Sequence, residues 1–208
     1  MRKNILFLFF ILNSLLIHAS RVDTIEVYSK SMNKSIKNIV IVPKKNIDNN
    51  KSLPVVYLLH GHSDKSDSWL KLVPEIKDYA DRNNVIIVCP DGGYDSWYLD
   101  SPLNKKIRYE TFITKELIKV VDSKYNTIKN RFGRAITGLS MGGHGAFYLS
   151  FKHQDIWGAA GSISGGLDIT PYYPEGGKSR WNLIAALGDQ NEYPDYWEKN
   201  SVINMLDL

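Results

Sequence analysis

The chain has 208 residues, 43% of them hydrophobic and 23% charged, with a formal net charge of +4. That balance supports one domain with a proper core and excludes a disordered chain. Lysines and arginines are scattered among acids in pairs such as Lys44-Lys45 and Lys105-Lys106, which excludes a basic stripe for nucleic acid.

The N-terminus, "MRKNILFLFFILNSLLIHAS", has a basic start at Arg2 and Lys3, an apolar stretch over 5–17 and small residues at Ala19 and Ser20. This is the pattern of a secretory signal over residues 1–19, with residues 20–208 as the exported domain. An uncleaved anchor is the alternative, but the stretch falls short of the roughly 20 residues that span a bilayer. The expected location is secreted or periplasmic, with no membrane anchor after cleavage. No cysteine follows the apolar run to carry a lipid.

The following elements alternate. "IVIVP" (39–43) is a β-branched run closed by proline, and "PVVYLLHG" (54–61) a continuous apolar run ended by glycine. The second has the look of a strand buried on both faces. Leu70, Val73, Ile76 and Ala80 fall at helical spacing over 69–82, and "VIIVCP" (85–90) is another buried strand. Its Cys89, the chain's one cysteine, reads as a core thiol in preference to a nucleophile. Tyr109, Phe112, Ile113, Leu117, Val120 and Val121 mark an amphipathic helix. "RAITGL" (134–139) reads as a strand, "MGGHGAFYLSF" as a helix and "GAAGSISG" (158–165) as a short strand. This rhythm predicts a parallel sheet covered on both faces. Beyond Gly166 the pattern weakens, and "PDYWEKNSVINML" reads as helix or loop leading to a further strand.

The chemistry concentrates at the turn after residue 138. Gly138-Leu139-Ser140-Met141-Gly142 fits a nucleophile elbow, where a tight strand-to-helix turn needs small residues two before and two after the nucleophile. Ser140 is the candidate nucleophile, and the helix beginning near Met141 aims its N–H groups at a developing oxyanion. The bland reading is a serine that caps a helix. "LLHGHSDKSDSW" (58–69) follows an early strand, and the N–H of His62 is the second candidate oxyanion donor. His60-x-His62 also resembles a pair of metal ligands, but no third ligand is evident, so no metal or other cofactor is expected. His60 is expected to brace the loop. In "PDGGYDSWYLDSP" (90–102), the aromatic residues and Asp100 either face a substrate cleft or pin the loop to the surface.

Together "LLHGHSDKSDSW", "VCPDGGYDSWYLDSP", "YETFITKELIKVVDSKYNT" and "RAITGLSMGGHGAFYLSFKHQDIWGAAGSISG" resemble the esterase D / putative esterase family over about residues 53–167. That family includes short-chain acyl esterases, S-formylglutathione hydrolases, feruloyl esterases and antigen 85 mycolyltransferases. The resemblance implies an α/β-hydrolase fold, a mainly parallel sheet with helices on both faces. It implies Ser140 as nucleophile, the N–H groups of Met141 and His62 as the oxyanion hole, and Tyr94, Trp97 and Tyr98 bordering the substrate pocket. The implied partner is a short-chain acyl or hydroxycinnamoyl ester, carbohydrate esters included. Acyl transfer and a catalytically inactive ester- or glycan-binding relative are the alternatives.

One part of the pattern is missing. The triad acid and histidine should follow the serine in chain order, and only His144 and His153 follow Ser140. Both fall on the elbow helix, and neither has a preceding acid in the right order. Asp189 is the best of the poor acid candidates. The resemblance places acid and histidine after two further strands, so the reading at this level is a C-terminally incomplete domain with no triad.

Overall fold

The computed structural model describes residues 20–44, 52–173 and 181–206. The expected signal over 1–19 therefore lies outside the described residues. Among those residues no helix is long and apolar enough to cross a membrane.

The chain opens with an antiparallel hairpin, β1 (Arg21–Ser29) and β2 (Lys34–Val42). β3 (Val55–Leu59), β4 (Ile86–Pro90), β5 (Arg134–Gly138) and β6 (Ala159–Ala160) follow. The six strands lie in the order β1-β2-β4-β3-β5-β6. The pairs β3/β4, β3/β5 and β5/β6 are parallel, and β2 joins β4 antiparallel. Sequence reading expects only the end of this hairpin, residues 39–43. β1 escapes it because its outward positions Thr24, Glu26 and Tyr28 dilute the buried Ile25 and Val27.

Helix α1 (Ser68–Leu72) and helix α2 (Ile76–Asn83) occupy the stretch expected to be one helix over 69–82. The break is at Val73, φ −129° and ψ 80°. The following Pro74 excludes its predecessor from helical space, which explains the interruption. Helix α3 runs over 109–124, passing through a π-helical stretch at Phe112–Leu117. Helix α4 (Met141–Lys152) starts directly after β5. The C-terminal part holds α5 (Leu183–Leu187), α6 (Pro194–Asn200) and a 3₁₀ turn at Val202–Met205.

Both sheet faces are covered. Val55, Tyr57, Leu59, Val88 and Ile136 pack with Phe112, Leu117, Val121, Met141 and Leu149 from α3 and α4. On the other face Ile39, Ile41, Ile87 and Cys89 meet Ile76 and Ala80 of α2. Burial pushes the Cys89 thiol up to about 12, which leaves it protonated and inert near neutrality. β4 is buried at all five positions, whereas Val56 and Leu58 of β3 are only half covered.

α3 and α4 are joined through one carboxylate. Glu110 accepts from Tyr148 Oη at 2.7 Å, Lys152 Nζ at 2.8 Å and His153 Nε2 at 2.8 Å. Burial opposes ionisation of Glu110, but the His153 and Lys152 donors outweigh it and hold its pKa near 2. A carboxyl held below its unfolded value stabilises the fold above about pH 4.5 and loses that contribution as pH falls toward 2. Glu110→Gln is expected to remove about 1–2 kcal/mol at pH 7 and to flatten the acid limb below pH 4.5. Urea unfolding at pH 7 and pH 3.5 checks both.

Candidate active site

Ser140 sits between β5 and α4 at φ 55°, ψ −113°. A β-carbon makes this backbone region unfavourable by about 1–3 kcal/mol, so the surrounding packing must impose it. The two flanking glycines show how. A Cβ on Gly138 would lie 2.5 Å from the Gly142 carbonyl oxygen, and one on Gly142 would lie 2.5 Å from Leu59 O and 2.7 Å from His60 O. The first turn of α4 is thus pressed onto the end of β3, and only glycine fits. Ser140 N–H donates to Ile163 O at 2.8 Å, and its carbonyl accepts from His144 N at 3.0 Å. The serine side chain makes no capping bond to the helix. That removes the bland reading of Ser140 as an N-cap and leaves the hydroxyl free beside the positive end of a 12-residue helix.

The 60–62 loop lies against this elbow. A Cβ on Gly61 would stand 3.7 Å from Leu139 O and 3.9 Å from Ser140 Cβ. His60 is buried and bonded at both ring nitrogens: Nδ1–H donates to Gly61 O at 2.8 Å and Nε2 accepts from Gly92 N–H at 2.8 Å. Burial lowers its pKa, and the neutral ring has no lone pair left for a metal or a proton. Tyr98 Oη donates to His60 O at 3.0 Å, and Trp69 Nε1 to Leu59 O at 3.1 Å. The loop is therefore rigid. Among the described residues, the N–H groups of His62 and Met141 have no backbone acceptor. Two unpaired donors beside a free hydroxyl can stabilise negative charge developing on a carbonyl oxygen.

The aromatic residues of the 90–102 loop divide. Tyr94 is 64% exposed and its ring meets that of His62 edge-on, with centroids 5.0 Å apart. Trp97 and Tyr98 depart from the substrate-facing expectation, being 3% and 0% exposed. Tyr98 lies beneath Gly92 and Gly145, where a Cβ would fall 2.2 Å and 2.5 Å from its ring. A ring so enclosed offers no face to a ligand. Trp97 packs edge-on against His144 at 5.3 Å and donates from Nε1 to Trp181 O at 3.2 Å. Both residues also have positive φ, 53° and 60°, which sequence alone gives no means of reading. Gly145 thus accommodates Tyr98, and Gly143 faces Ser162 and Gly165. Of the helix glycines at 142, 143 and 145, only Gly142 meets the strand.

The histidines after Ser140 have other partners. His144 is fully buried, stacks on Tyr148 and holds Asn200 O through Nε2 at 2.9 Å. His153 forms a carboxylate pair with Glu110 at 2.8 Å, but at the far end of α4, about 18 Å of helix away from Ser140. Asp189 accepts from Tyr173 Oη and Asn191 N–H, each at 2.8 Å, and has no histidine partner among the described residues. Sequence reading missed His62 as a side chain: its ring lies between Tyr94 and Trp181. The aromatic content of 94–98 hinted at one of these neighbours, but not at Trp181.

Similarity to known proteins follows the same geometry. The chain is 32% identical over 129 residues to Esterase MT1326 of Mycobacterium tuberculosis (strain CDC 1551 / Oshkosh), covering 61% of this chain and 28% of that protein. It is 33% identical over 187 residues to the diacylglycerol acyltransferase/mycolyltransferase Ag85B of Mycobacterium leprae (strain TN), covering 85% and 53%. The chain thus spans about a quarter to a half of the length of these two relatives. A solved ferulic acid esterase superposes with a TM-score of 0.73 at 31% identity, covering 90% of this chain and 71% of that one. The fold is that of the α/β-hydrolases. Residues 29–206 match the family model described as "Putative esterase", and with the elbow and its facing loop inside that span, the chain belongs to the putative esterase family.

Proposed function

We propose that this chain is an exported serine carboxylesterase acting on short-chain acyl or hydroxycinnamoyl esters, carbohydrate esters among them. Ser140 is the nucleophile, and the Met141 and His62 N–H groups form the oxyanion hole. The observation that carries the reading is the Ser140 backbone at φ 55°, imposed by two glycine contacts and leaving the hydroxyl uncapped. Export rests on the pattern of residues 1–19. Tyr94 is the exposed aromatic on the acyl or leaving-group side, and its ring suits an aryl or sugar face.

In the reaction, Ser140 Oγ attacks the ester carbonyl carbon and the carbonyl π pair moves to oxygen, where the two N–H groups receive it. Collapse breaks the bond to the leaving oxygen, which departs as the alcohol with the proton lost by Ser140 Oγ. The acyl-serine that remains is hydrolysed by water to the acid and free serine. If an alcohol replaces water as acceptor, the same intermediate gives acyl transfer. The likeness to the mycolyltransferase over 85% of the chain favours this as the second reading. The two oxyanion donors contribute by themselves about 10³-fold over water.

The test is p-nitrophenyl acetate hydrolysis and fluorophosphonate labelling of the full chain. Ser140→Ala is expected to lose both while leaving the thermal midpoint within about 2 °C. Equal labelling of the variant would reject Ser140 as the nucleophile. A product ester formed in the presence of an added alcohol would select acyl transfer over hydrolysis.

A further inference from the structure

We propose that Lys34, Lys105 and Lys106 form an anion subsite for the carbohydrate part of the substrate, so that the esters cleaved at Ser140 are carried on an acidic, uronate-containing polysaccharide. The proposal deepens the esterase reading and rests on it. The three lysines come from two segments distant in sequence and line one groove of about 490 Å³ with Ser31, Met32 and Asn33. Among the described residues, no acid lines this groove. The neighbouring groove, which shares Lys34, is balanced: Lys37 is accompanied there by Glu26 and Asp91.

The groove is held in shape. Lys34 Nζ donates to Tyr109 Oη at 2.9 Å and stands 4.8 Å from the centre of that ring, and Tyr109 is buried. The turn that carries Lys105 and Lys106 is fixed by Ser101, whose Oγ accepts from Leu103 N–H at 3.1 Å and Asn104 N–H at 2.8 Å. Lys106 N–H in turn donates to Asn104 Oδ1 at 3.0 Å. The carboxylates close by are engaged elsewhere: Asp100 pairs with Arg108 at 3.0 Å, and Glu116 accepts from Ser29 Oγ at 2.6 Å and Ser31 N–H at 2.9 Å. Three like charges at one groove repel one another, and an anion seated among them relieves that repulsion. The Asn33 amide oxygen accepts from Tyr28 Oη, which leaves the amide N–H groups for a further acceptor. A uronate supplies both kinds of acceptor, a carboxylate for the lysines and hydroxyl oxygens for the amide.

The strand register puts the groove at the same end of the sheet as the nucleophile. Asn38 pairs with Pro90, Tyr57 with Val88 and Leu59 with Gly138, so Asn38, Pro90, Leu59 and Gly138 stand at one level. Ser140 lies two residues beyond that level, and Lys34, on the antiparallel β2, four residues beyond it in the same direction. β2 and β5 are three strand spacings apart. Lys34 and Ser140 are therefore separated by roughly 15–20 Å. A series of contacts joins the two places. Tyr109 lies against Gly93, where a Cβ would fall 2.4 Å from its Oη, the Tyr94 ring meets His62, and Gly61 stands beside Ser140. A small ester seated at Ser140 does not reach the lysines, whereas a chain of several sugars does. The subsite thus acts on polymer binding, away from the bond that breaks.

The experiment measures binding of unesterified polygalacturonate to the full chain at low salt. It compares wild type, Ser140→Ala, the pair Lys105→Gln/Lys106→Gln and the pair Lys77→Gln/Lys129→Gln. All four lysines are exposed, so glutamine does not threaten the fold, and the second pair removes the same charge from α2 and from the loop before β5. Wild type and Ser140→Ala are expected to bind alike, the Lys105/Lys106 pair about tenfold more weakly, and the control pair less than about twofold more weakly. With acetylated polygalacturonate and acetylated neutral mannan as substrates, the Lys105/Lys106 pair should lower the ratio of kcat/KM for the acidic chain over the neutral one about tenfold, through KM. No binding of polygalacturonate by wild type, equal losses in the two pairs, or equal binding of unesterified mannan would overturn the proposal. Tighter binding to phosphatidylglycerol vesicles than to polygalacturonate would overturn it in favour of a membrane surface. The two claims separate. Lysine-dependent binding without Ser140-dependent turnover of any ester keeps the subsite and removes the esterase reading, whereas Ser140-dependent turnover that ignores the lysines does the reverse.

Discussion

Gly142→Ala is expected to destabilise the chain by roughly 3 kcal/mol, at the upper end for an overpacked core site, and to abolish Ser140-dependent ester turnover. The new methyl would sit 2.5 Å from Leu59 O and 2.7 Å from His60 O. Neither atom can give way easily. Leu59 lies within the β3/β5 pairing and its oxygen accepts from Trp69, while His60 O accepts from the buried Tyr98. The alternative relief is for α4 to lift off β3. That would move Met141 N–H and Ser140 together, away from the 60–62 loop, so stability and oxyanion geometry fail through one contact. Gly143→Ala is the informative control. Its Cβ would meet Ser162 Oγ at 2.7 Å, a side-chain atom, so a rotamer change can absorb part of the clash. Denaturant melts of the two variants, with turnover measured on the folded fraction, check the difference. Equal midpoints for Gly142→Ala and wild type would mean that α4 does not press on β3 as described.

The second large effect lies in mild acid. His144 is held neutral, its pKa brought down to about 4 by burial. The sign follows from linkage. The unfolded chain takes up a proton below about pH 6.5, whereas the folded chain resists until about pH 4. Stability is therefore full above pH 6.5 and declines as pH falls toward 4, by roughly 3 kcal/mol for this group. The buried His60 shares the direction, so the wild-type slope contains both histidines. His144→Phe keeps a ring in the stack with Trp97 and Tyr148 and removes the titration, and the bond to Asn200 is lost with it. The variant is expected to be less stable at pH 7.5, with a shallower fall between pH 6.5 and 4.5. Urea midpoints at those pH values measure it, and an unchanged slope would show that His144 does not stay neutral in the fold. This window lies above that of Glu110, so the two acid effects separate.

His144 also shows how a residue can be misread from its position. It stands four residues after Ser140, one helical turn along, and invites a catalytic role. The fold turns it into the core, where it ties the first turns of α4 to the end of α6 through Asn200. The His153–Glu110 pair is a similar decoy, a histidine and carboxylate at ideal distance whose effect is to join α4 to α3.

The sequence by itself determined the alternation of strands and helices from residue 54 to residue 160, the elbow at Gly138–Gly142 and the facing His60-Gly61-His62 loop. These are local properties. A buried strand needs a continuous apolar run, and a tight turn needs glycines at fixed spacing, so each leaves its mark within a few neighbouring residues. β1 was legible in principle through the alternation of Ile25 and Val27, but its charged outward face hid it. Only the tertiary structure decided what the longer-range contacts impose. It buried Tyr98 under two glycines distant in sequence, exposed Tyr94, and distributed the histidines among a loop brace, a core anchor, an interhelical tie and an aromatic clamp. An imidazole has the same letter in all four places. Its chemistry follows from which groups surround the ring, and those that do so here (Gly92, Asn200, Glu110 and Trp181) lie far along the chain.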